Sequence, residues 1–395
     1  MSVPALVRAR LFEPGPIAFG SLFAWEATAR ALITVVLAVV ALRVLGDPRD
    51  VSIVYATATC IGLVVCQGIP ILIRRLGPGW TYALGGLFGA AVPLCLATAN
   101  TAGVLAAVVL RALAVACGTN ALQILIMSHI ERRDLSKMEP LRVFFAAGSW
   151  SFGPSLGIAL FEHVSPWATY ALSIAASVLL LGHLALLRPD APLGGRAASG
   201  RVALTPIRTL RRYFAQPRLR LAYVLNLGRE NWWAMFFGYV PIYAVTAGLG
   251  ATEGGVMVSA GSLLLFTVPL FGRWARRIGV RRMLIGGFAA AGATLLSAAA
   301  SSGWPPAFAA FVLASAVAAV ALDSVCIVTY QRAVRARERP EMTTVFVTYR
   351  DMAALVSTSV FSLLLTFSGL WSVFAATGLW LCYCAWLARW VPRGM

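Results

Sequence analysis

Twelve stretches of the chain stay apolar for about 20 residues each, the length of helix that crosses the hydrocarbon core of a bilayer. They run roughly over 16–42, 51–73, 80–99, 102–127, 141–161, 166–187, 221–246, 254–272, 283–301, 306–330, 343–367 and 370–391, and are numbered here as spans 1 to 12. Within lipid no water reaches the backbone, so a span of this length closes its hydrogen bonds internally as an α-helix. Composition agrees. Of the 395 residues 59% are hydrophobic and 12% are charged, whereas a soluble domain carries about 25% charge. The expected fold is an all-α polytopic membrane protein of twelve transmembrane helices.

The formal net charge of +18 would suggest a nucleic-acid partner in a soluble chain. Here the placement of the charges argues otherwise. With the N-terminus in the cytoplasm, most Lys and Arg residues fall on cytoplasmic ends and loops. The opposite loops, around Asn100, Ser165, Ala251, Ser302 and Gly369, hold almost none. That asymmetry orients a protein in an inner membrane, and an even number of spans puts both termini in the cytoplasm. Trp80, Trp167, Trp304, Trp371 and Trp390 fall at the expected water interfaces as an aromatic belt. Arg8 and Arg10 precede span 1, but Glu26 and Arg30 interrupt its apolar run, so a cleaved leader is not expected.

The chain also repeats itself at an offset of about 202 residues. Arg74-Arg75-x-Gly77 matches Arg276-Arg277-x-Gly279, and Leu84-Gly85-Gly86 matches Ile285-Gly286-Gly287. Asn120 aligns with Asp323, and Glu139 with Glu341. Ordered matches of this kind imply two pseudo-symmetric six-helix bundles, residues 1–187 and 220–395, with a substrate site expected where they meet. Residues 188–219 form a basic cytoplasmic linker. Within it Thr205-Pro206 reads as a helix start, and Leu204, Ile207, Leu210 and Phe214 follow at near-helical spacing, as in a short surface helix.

Ionisable residues inside spans are the candidate functional groups, because an Arg at mid-membrane costs at least about 2.5–3.5 kcal/mol. The acids Glu26, Glu230, Asp323 and Asp351 are candidates for binding and releasing a proton, with Arg111 as the coupling charge. Glu26 and Asp323 lead that set. Arg30, Arg229 and Arg350, with Trp25, Asn120, Gln123, Trp150, Asn226, Trp232, Trp233 and Tyr349, are candidates to line a small-molecule substrate. The competing reading is structural: Glu26 pairs with Arg30 four residues on, and the aromatics simply pack. Neighbours such as Arg229 and Glu230 point about 100° apart on a helix and are not expected to pair well with each other.

No enzymatic constellation stands out. A glycine-rich phosphate loop with a lysine is missing, His129, His163 and His183 are scattered, and the cysteines lack metal-ligand spacing. No cofactor or metal is expected. The expected partners are a small substrate, protons and the lipid bilayer, for a monomer.

Twelve spans in two repeated halves, joined by a basic loop, resemble the major facilitator superfamily across nearly the whole chain. That family's signature after spans 2 and 8 runs Gly-xxx-Asp-Arg-x-Gly-x-Arg-Arg. Gly272, Arg277, Gly279, Arg281 and Arg282 match it, but Arg276 stands where the Asp belongs; in the first copy Pro70 replaces the Gly and Arg74 the Asp. The resemblance implies a cytoplasmic gate, built here from Arg74, Arg75, Arg276 and Arg277 against Glu139 and Glu341. Gly153-Pro154-x-x-Gly157 in span 5 is similar to the motif of the family's proton-coupled antiporters, with Ile158 in place of its last Gly. Arg111 resembles the family's span-4 coupling Arg, and Glu26 an acid seen in span 1 of some exporters. The resemblance therefore implies alternating access and proton-coupled export of a small amphipathic compound. Proton-coupled import of an organic anion and a non-transporting assembly factor or sensor are the rival readings.

Overall fold

A computed structural model describes residues 15–66, 68–130, 135–187, 206–334, 342 and 345–392. Its elements are α1 (Pro16–Leu45), α2 (Pro48–Cys66), α3 (Ile69–Leu76), α4 (Pro78–Ala97), α5 (Thr101–His129), α6 (Leu135–His163), α7 (Pro166–Leu187) and α8 (Pro206–Phe214). There follow α9 (Pro217–Thr246), α10 (Ala251–Leu263), a 3-10 turn at Leu264–Thr267, α11 (Val268–Ile278), α12 (Val280–Ala300) and α13 (Pro305–Asp323). The chain then continues through α14 (Cys326–Ala333), α15 (Tyr349–Phe367) and α16 (Trp371–Ala388).

Proline punctuates this order. Pro16, Pro48, Pro78, Pro166, Pro206, Pro217 and Pro305 each open a helix, because the first turn needs no backbone donor and the ring presets φ. Helix α5 instead opens on Asn100, whose side-chain oxygen accepts the Gly103 N–H at 2.7 Å.

Ten helical runs among the described residues are long and apolar enough to cross a membrane. Of the other two expected spans, span 2 lies partly outside the described residues, and span 7 falls within α9, which carries Asn226, Arg229, Glu230 and Asn231 in its middle. Span 8 is interrupted by the 3-10 turn between α10 and α11, and span 10 breaks just after Asp323.

By contacts the chain divides into two compact units. One comprises Met1–Asp47 with Val54–Arg201, the other Pro48–Ile53 with Val202–Met395. Inside the first, α1 packs on α6 and α7, and α4 packs on α5 and α7. Inside the second, α9 packs on α15 and α16, and α12 on α13 and α16. Each unit therefore pairs its first span with its fifth and sixth, and its third with its fourth and sixth.

Small residues make these approaches possible, as expected where apolar burial cannot drive helices together. A Cβ on Gly153 would lie 2.6 Å from the Ala31 Cβ, and one on Gly157 would collide with the Leu32 carbonyl oxygen. Gly85 faces the backbone of α5, where a Cβ would come within 3.1 Å of the Ala114 oxygen and of the Gly118 nitrogen. Its counterpart pair contributes Gly287, which faces Leu322 and Ala318 of α13. The two copies of the basic turn agree as well. Gly77 (φ +87°) and Gly279 (φ +92°) both take the left-handed region, and their N–H groups bond Ile73 and Ala275 at 2.9 Å.

Helix α8 begins at Pro206, and Tyr213 anchors it. That side chain is fully buried among Leu219, Tyr223 and Tyr330, and its hydroxyl donates to the Leu219 carbonyl at 3.1 Å. Burial pushes the Tyr213 phenol well up from its usual range. Residues 188–205 of the linker lie outside the described residues.

Candidate functional site

Each unit gathers ionic side chains within its spans. In the first, α1 carries Glu26 and Arg30 one turn apart, and Arg30 Nη1 donates to Glu26 Oε1 at 3.2 Å. The second carboxylate oxygen accepts the Tyr82 hydroxyl of α4 at 3.0 Å. Gly118 of α5 closes the third side, since a Cβ there would come within 3.0 Å of Glu26. Glu26 is 9% exposed, so its charge depends on these neighbours rather than on bulk water. A cavity lined by Glu26, Arg30, Tyr82, Gly89, Ser177 and Leu180 adjoins it. The guanidinium of Arg30 also lies 5.6 Å from the centre of the Trp150 ring, a cation–π distance.

Arg111, in α5, is different. No carboxylate pairs with it among the described residues. Trp25 is 36% exposed, and Asn120 and Gln123 are exposed too; the Asn120 amide donates to the Ala116 carbonyl at 2.8 Å.

In the second unit Arg229 of α9 is the hub. Its Nη1 pairs with Asp323 Oδ1 at the end of α13, and its Nη2 contacts Glu230 Oε2 at 2.8 Å. The same Nη2 donates to the Tyr349 hydroxyl at 3.1 Å. Trp233 Nε1 donates to Asp323 Oδ2 at 3.1 Å, and Arg350 Nε donates to the Tyr349 hydroxyl at 3.3 Å. The expectation that Arg229 and Glu230 would not pair is corrected. Cβ directions diverge between neighbours, but the long guanidinium arm curls back so that its fork serves two acids at once.

Other expected residues fall elsewhere. Trp232 is fully buried and donates to Ser315 Oγ at 2.8 Å. Asn226, 1% exposed, donates to the carbonyls of Ala222 at 2.8 Å and Cys326 at 3.1 Å, tying α9 to the start of α14. Neither offers a free face to a substrate in this structure. Asp351 is exposed, and no ion pair holds it among the described residues. Of the expected gate, Arg75, Arg276 and Arg277 are exposed. The side chains of Arg74 and Glu139, and Glu341 as a whole, lie outside the described residues.

Three participants escaped the sequence reading. Tyr82 is one turn ahead of the repeated Gly85-Gly86 pair and therefore shares its helical face, a spacing that could have flagged it. Gly118 left no such signal, being one glycine among many. Arg142 of α6 is 9% exposed and lies 4.9 Å from the centre of the Phe23 ring; its place near the start of span 5 disguised it as a loop charge.

Broken helices, mid-span ion clusters and two like-patterned helical units define a polytopic membrane transporter. The family model described as Major Facilitator Superfamily matches residues 17–268, and the chain belongs to that family. Among curated proteins none matches. The fold resembles the solved nucleoside transporter NupG (TM-score 0.70, 11% identity), covering 95% of this chain and 98% of that one. It also resembles the peptide transporter POT in complex with sulfate (TM-score 0.74, 12% identity), covering 95% and 94% of the two chains. A bacterial metal transporter aligns at TM-score 0.62 and 17% identity, over 94% of this chain and 96% of that one. The helical fold and the family are those expected from the sequence.

Proposed function

We propose that this transporter couples proton movement to export of a small amphipathic organic compound by alternating access. It would sit in an inner membrane with both termini cytoplasmic. The observation that carries the reading is the shared design of the two clusters: Glu26 is held by Arg30 and Tyr82, and Asp323 by Arg229 and Trp233. In each, a carboxylate inside a span faces one guanidinium and one aromatic donor. Protonation of either acid removes its hold on the arginine, so a proton can change which side chains are tied together. Glu26 and Asp323 are the proposed carriers, with Glu230 sharing Arg229.

Export is supported by the placement of the antiporter-like motif. Gly153 and Gly157 seat on Ala31 and Leu32, directly after Arg30 in α1. A shift of span 5 and a change in the Glu26–Arg30 pair are thus mechanically linked. The solved relatives named as nucleoside and peptide transporters favour a small-molecule cargo.

Import of an organic anion is the second reading, favoured by Arg111 standing without an acid. Vesicles separate the two. In everted vesicles, accumulation driven by an inward-acid gradient and abolished by Glu26→Gln or Asp323→Asn supports export. Uptake by right-side-out vesicles on an outside-acid gradient supports import. Transport indifferent to the gradient and to both substitutions overturns proton coupling.

A further inference from the structure

Helix α8 has nine residues, and a helix shorter than about 12–15 residues is marginal in water by itself. It therefore depends on its seat in the second unit, and Tyr213 makes that seat. The Tyr213 side chain is fully buried, its hydroxyl donates to the Leu219 carbonyl at 3.1 Å, and its ring meets that of Tyr223 edge-on at 6.0 Å between centres. Phe214 meets the Tyr223 ring edge-on as well, at 5.3 Å. Two short paths continue from there to the ion cluster. The Tyr223 hydroxyl lies 3.1 Å from Thr348 Oγ1, on the residue that precedes α15. The next residue is Tyr349, whose hydroxyl accepts from Arg229 Nη2 at 3.1 Å and from Arg350 Nε at 3.3 Å. Alongside, Tyr330 of α14 stacks on Phe346 at 3.9 Å, and Phe346 reaches the Tyr349 ring at 5.0 Å. Tyr213, Tyr223, Tyr330, Phe346 and Tyr349 belong to one continuous buried cluster.

Rings packed at interior density cannot move singly, and edge-on pairs fix each other's tilt. We infer that Tyr213 of the linker is a positioning residue for the Arg229 cluster, acting through Tyr223, Thr348 and Tyr349, so that seating or releasing α8 resets the contacts of Arg229 with Asp323 and Glu230. Coupling of this kind needs an element with two arrangements. Helix α8 is such an element: seated through Tyr213 it is a helix, and without that seat it is too short to remain one. The effect runs both ways, because whatever the seated helix contributes to the cluster, the intact cluster contributes to the seat. A role for this coupling in transport rests on the proton-coupled reading above, whereas the coupling itself does not.

The test uses the purified full chain in nanodiscs, with one readout at each end. Hydrogen exchange of residues 206–214 reports α8. The fluorine resonance of 5-fluorotryptophan at Trp233, whose Nε1 donates to Asp323 Oδ2 at 3.1 Å, reports the cluster, and Trp233→Phe assigns it. Tyr213→Leu speeds α8 exchange about fivefold or more and shifts or broadens the Trp233 resonance. Tyr213→Phe keeps the ring and leaves the Trp233 resonance as in the wild type. In the reverse direction, Asp323→Asn and Tyr349→Phe each speed α8 exchange. Unchanged α8 exchange in Tyr213→Leu, or faster exchange there with an unmoved Trp233 resonance, overturns the inference. So does α8 exchange indifferent to both Asp323→Asn and Tyr349→Phe. If Tyr213→Leu fails to fold, Tyr223→Phe cuts the hydroxyl link to Thr348 and leaves every ring in place, and silence at both ends then overturns it. Everted vesicles separate the two ideas. Transport that ignores the proton gradient, with a Trp233 resonance that answers to Tyr213→Leu, sinks proton coupling alone; gradient-driven transport with a silent Trp233 sinks the positioning role alone.

Discussion

Tyr82 donates its hydroxyl to Glu26 at 3.0 Å, so α4 secures a carboxylate that α1 carries into the membrane. Tyr82 is 1% exposed and Glu26 9%, and water cannot easily substitute for either partner. Tyr82→Phe keeps the ring and deletes only the donor. A hydrogen bond to a charged group contributes about 1.5–3 kcal/mol, and a lowered melting temperature in detergent, with the helical content unchanged, is the expected result. An unaltered melting temperature would mean that Arg30 alone suffices to hold Glu26.

Arg229 and its two acids predict an asymmetry. Arg229→Gln leaves Asp323 and Glu230 both without their cation, a loss of about 3–5 kcal/mol. Asp323→Asn costs less, because Glu230 still contacts Arg229 at 2.8 Å. The double variant is less damaged than the sum of the singles, since Asp323 is then no longer a stranded charge and only Glu230 is left without its cation. Thermal unfolding of the four proteins measures the cycle; strict additivity would show that the pair is not coupled.

Two glycines of α6 make opposite predictions. A methyl on Gly157 would strike the Leu32 carbonyl, which is backbone and cannot rotate away, while nothing lies within 4 Å of a methyl on Gly148. Gly157→Ala therefore loses about 1–3 kcal/mol or more through overpacking. Gly148→Ala is neutral or gains up to about 1 kcal/mol from helix propensity. Size-exclusion profiles after graded heating distinguish the two, and equal behaviour would refute the close crossing of α1 and α6.

Much of the fold was legible because the membrane imposes it: apolar length gives the spans, and proline marks their starts. The repeated Arg-Arg-x-Gly carried conformational information as well as homology, since Gly77 and Gly279 adopt the same positive φ. The break in span 10 was not legible. Residues 306–330 read as one apolar run, yet α13 stops at Asp323, where Ser324 turns its hydroxyl back onto the Ala321 carbonyl at 2.6 Å. A serine competing for backbone carbonyls is a weak signal in sequence because most such serines leave the helix intact. The site was legible as residue types, not as pairings. Glu230 stands next to Arg229 along the chain, but only three-dimensional packing shows that the two pair and that Asp323, 94 residues away, joins them, while Arg111 has no carboxylate partner among the described residues.

One guanidinium facing two carboxylates also has an electrical consequence. Arg229 with its two ionised acids sums to one negative charge, and Arg350, joined through the Tyr349 hydroxyl, brings the group to zero; a single bound proton then leaves it with one positive charge. A membrane potential exerts about 2.3 kcal/mol per elementary charge per 100 mV. Under the proton-coupled reading proposed above, voltage would therefore pull on the protonated form of this cluster and not on the deprotonated one, so the potential across the bilayer would bias one half of such a cycle and leave the other untouched.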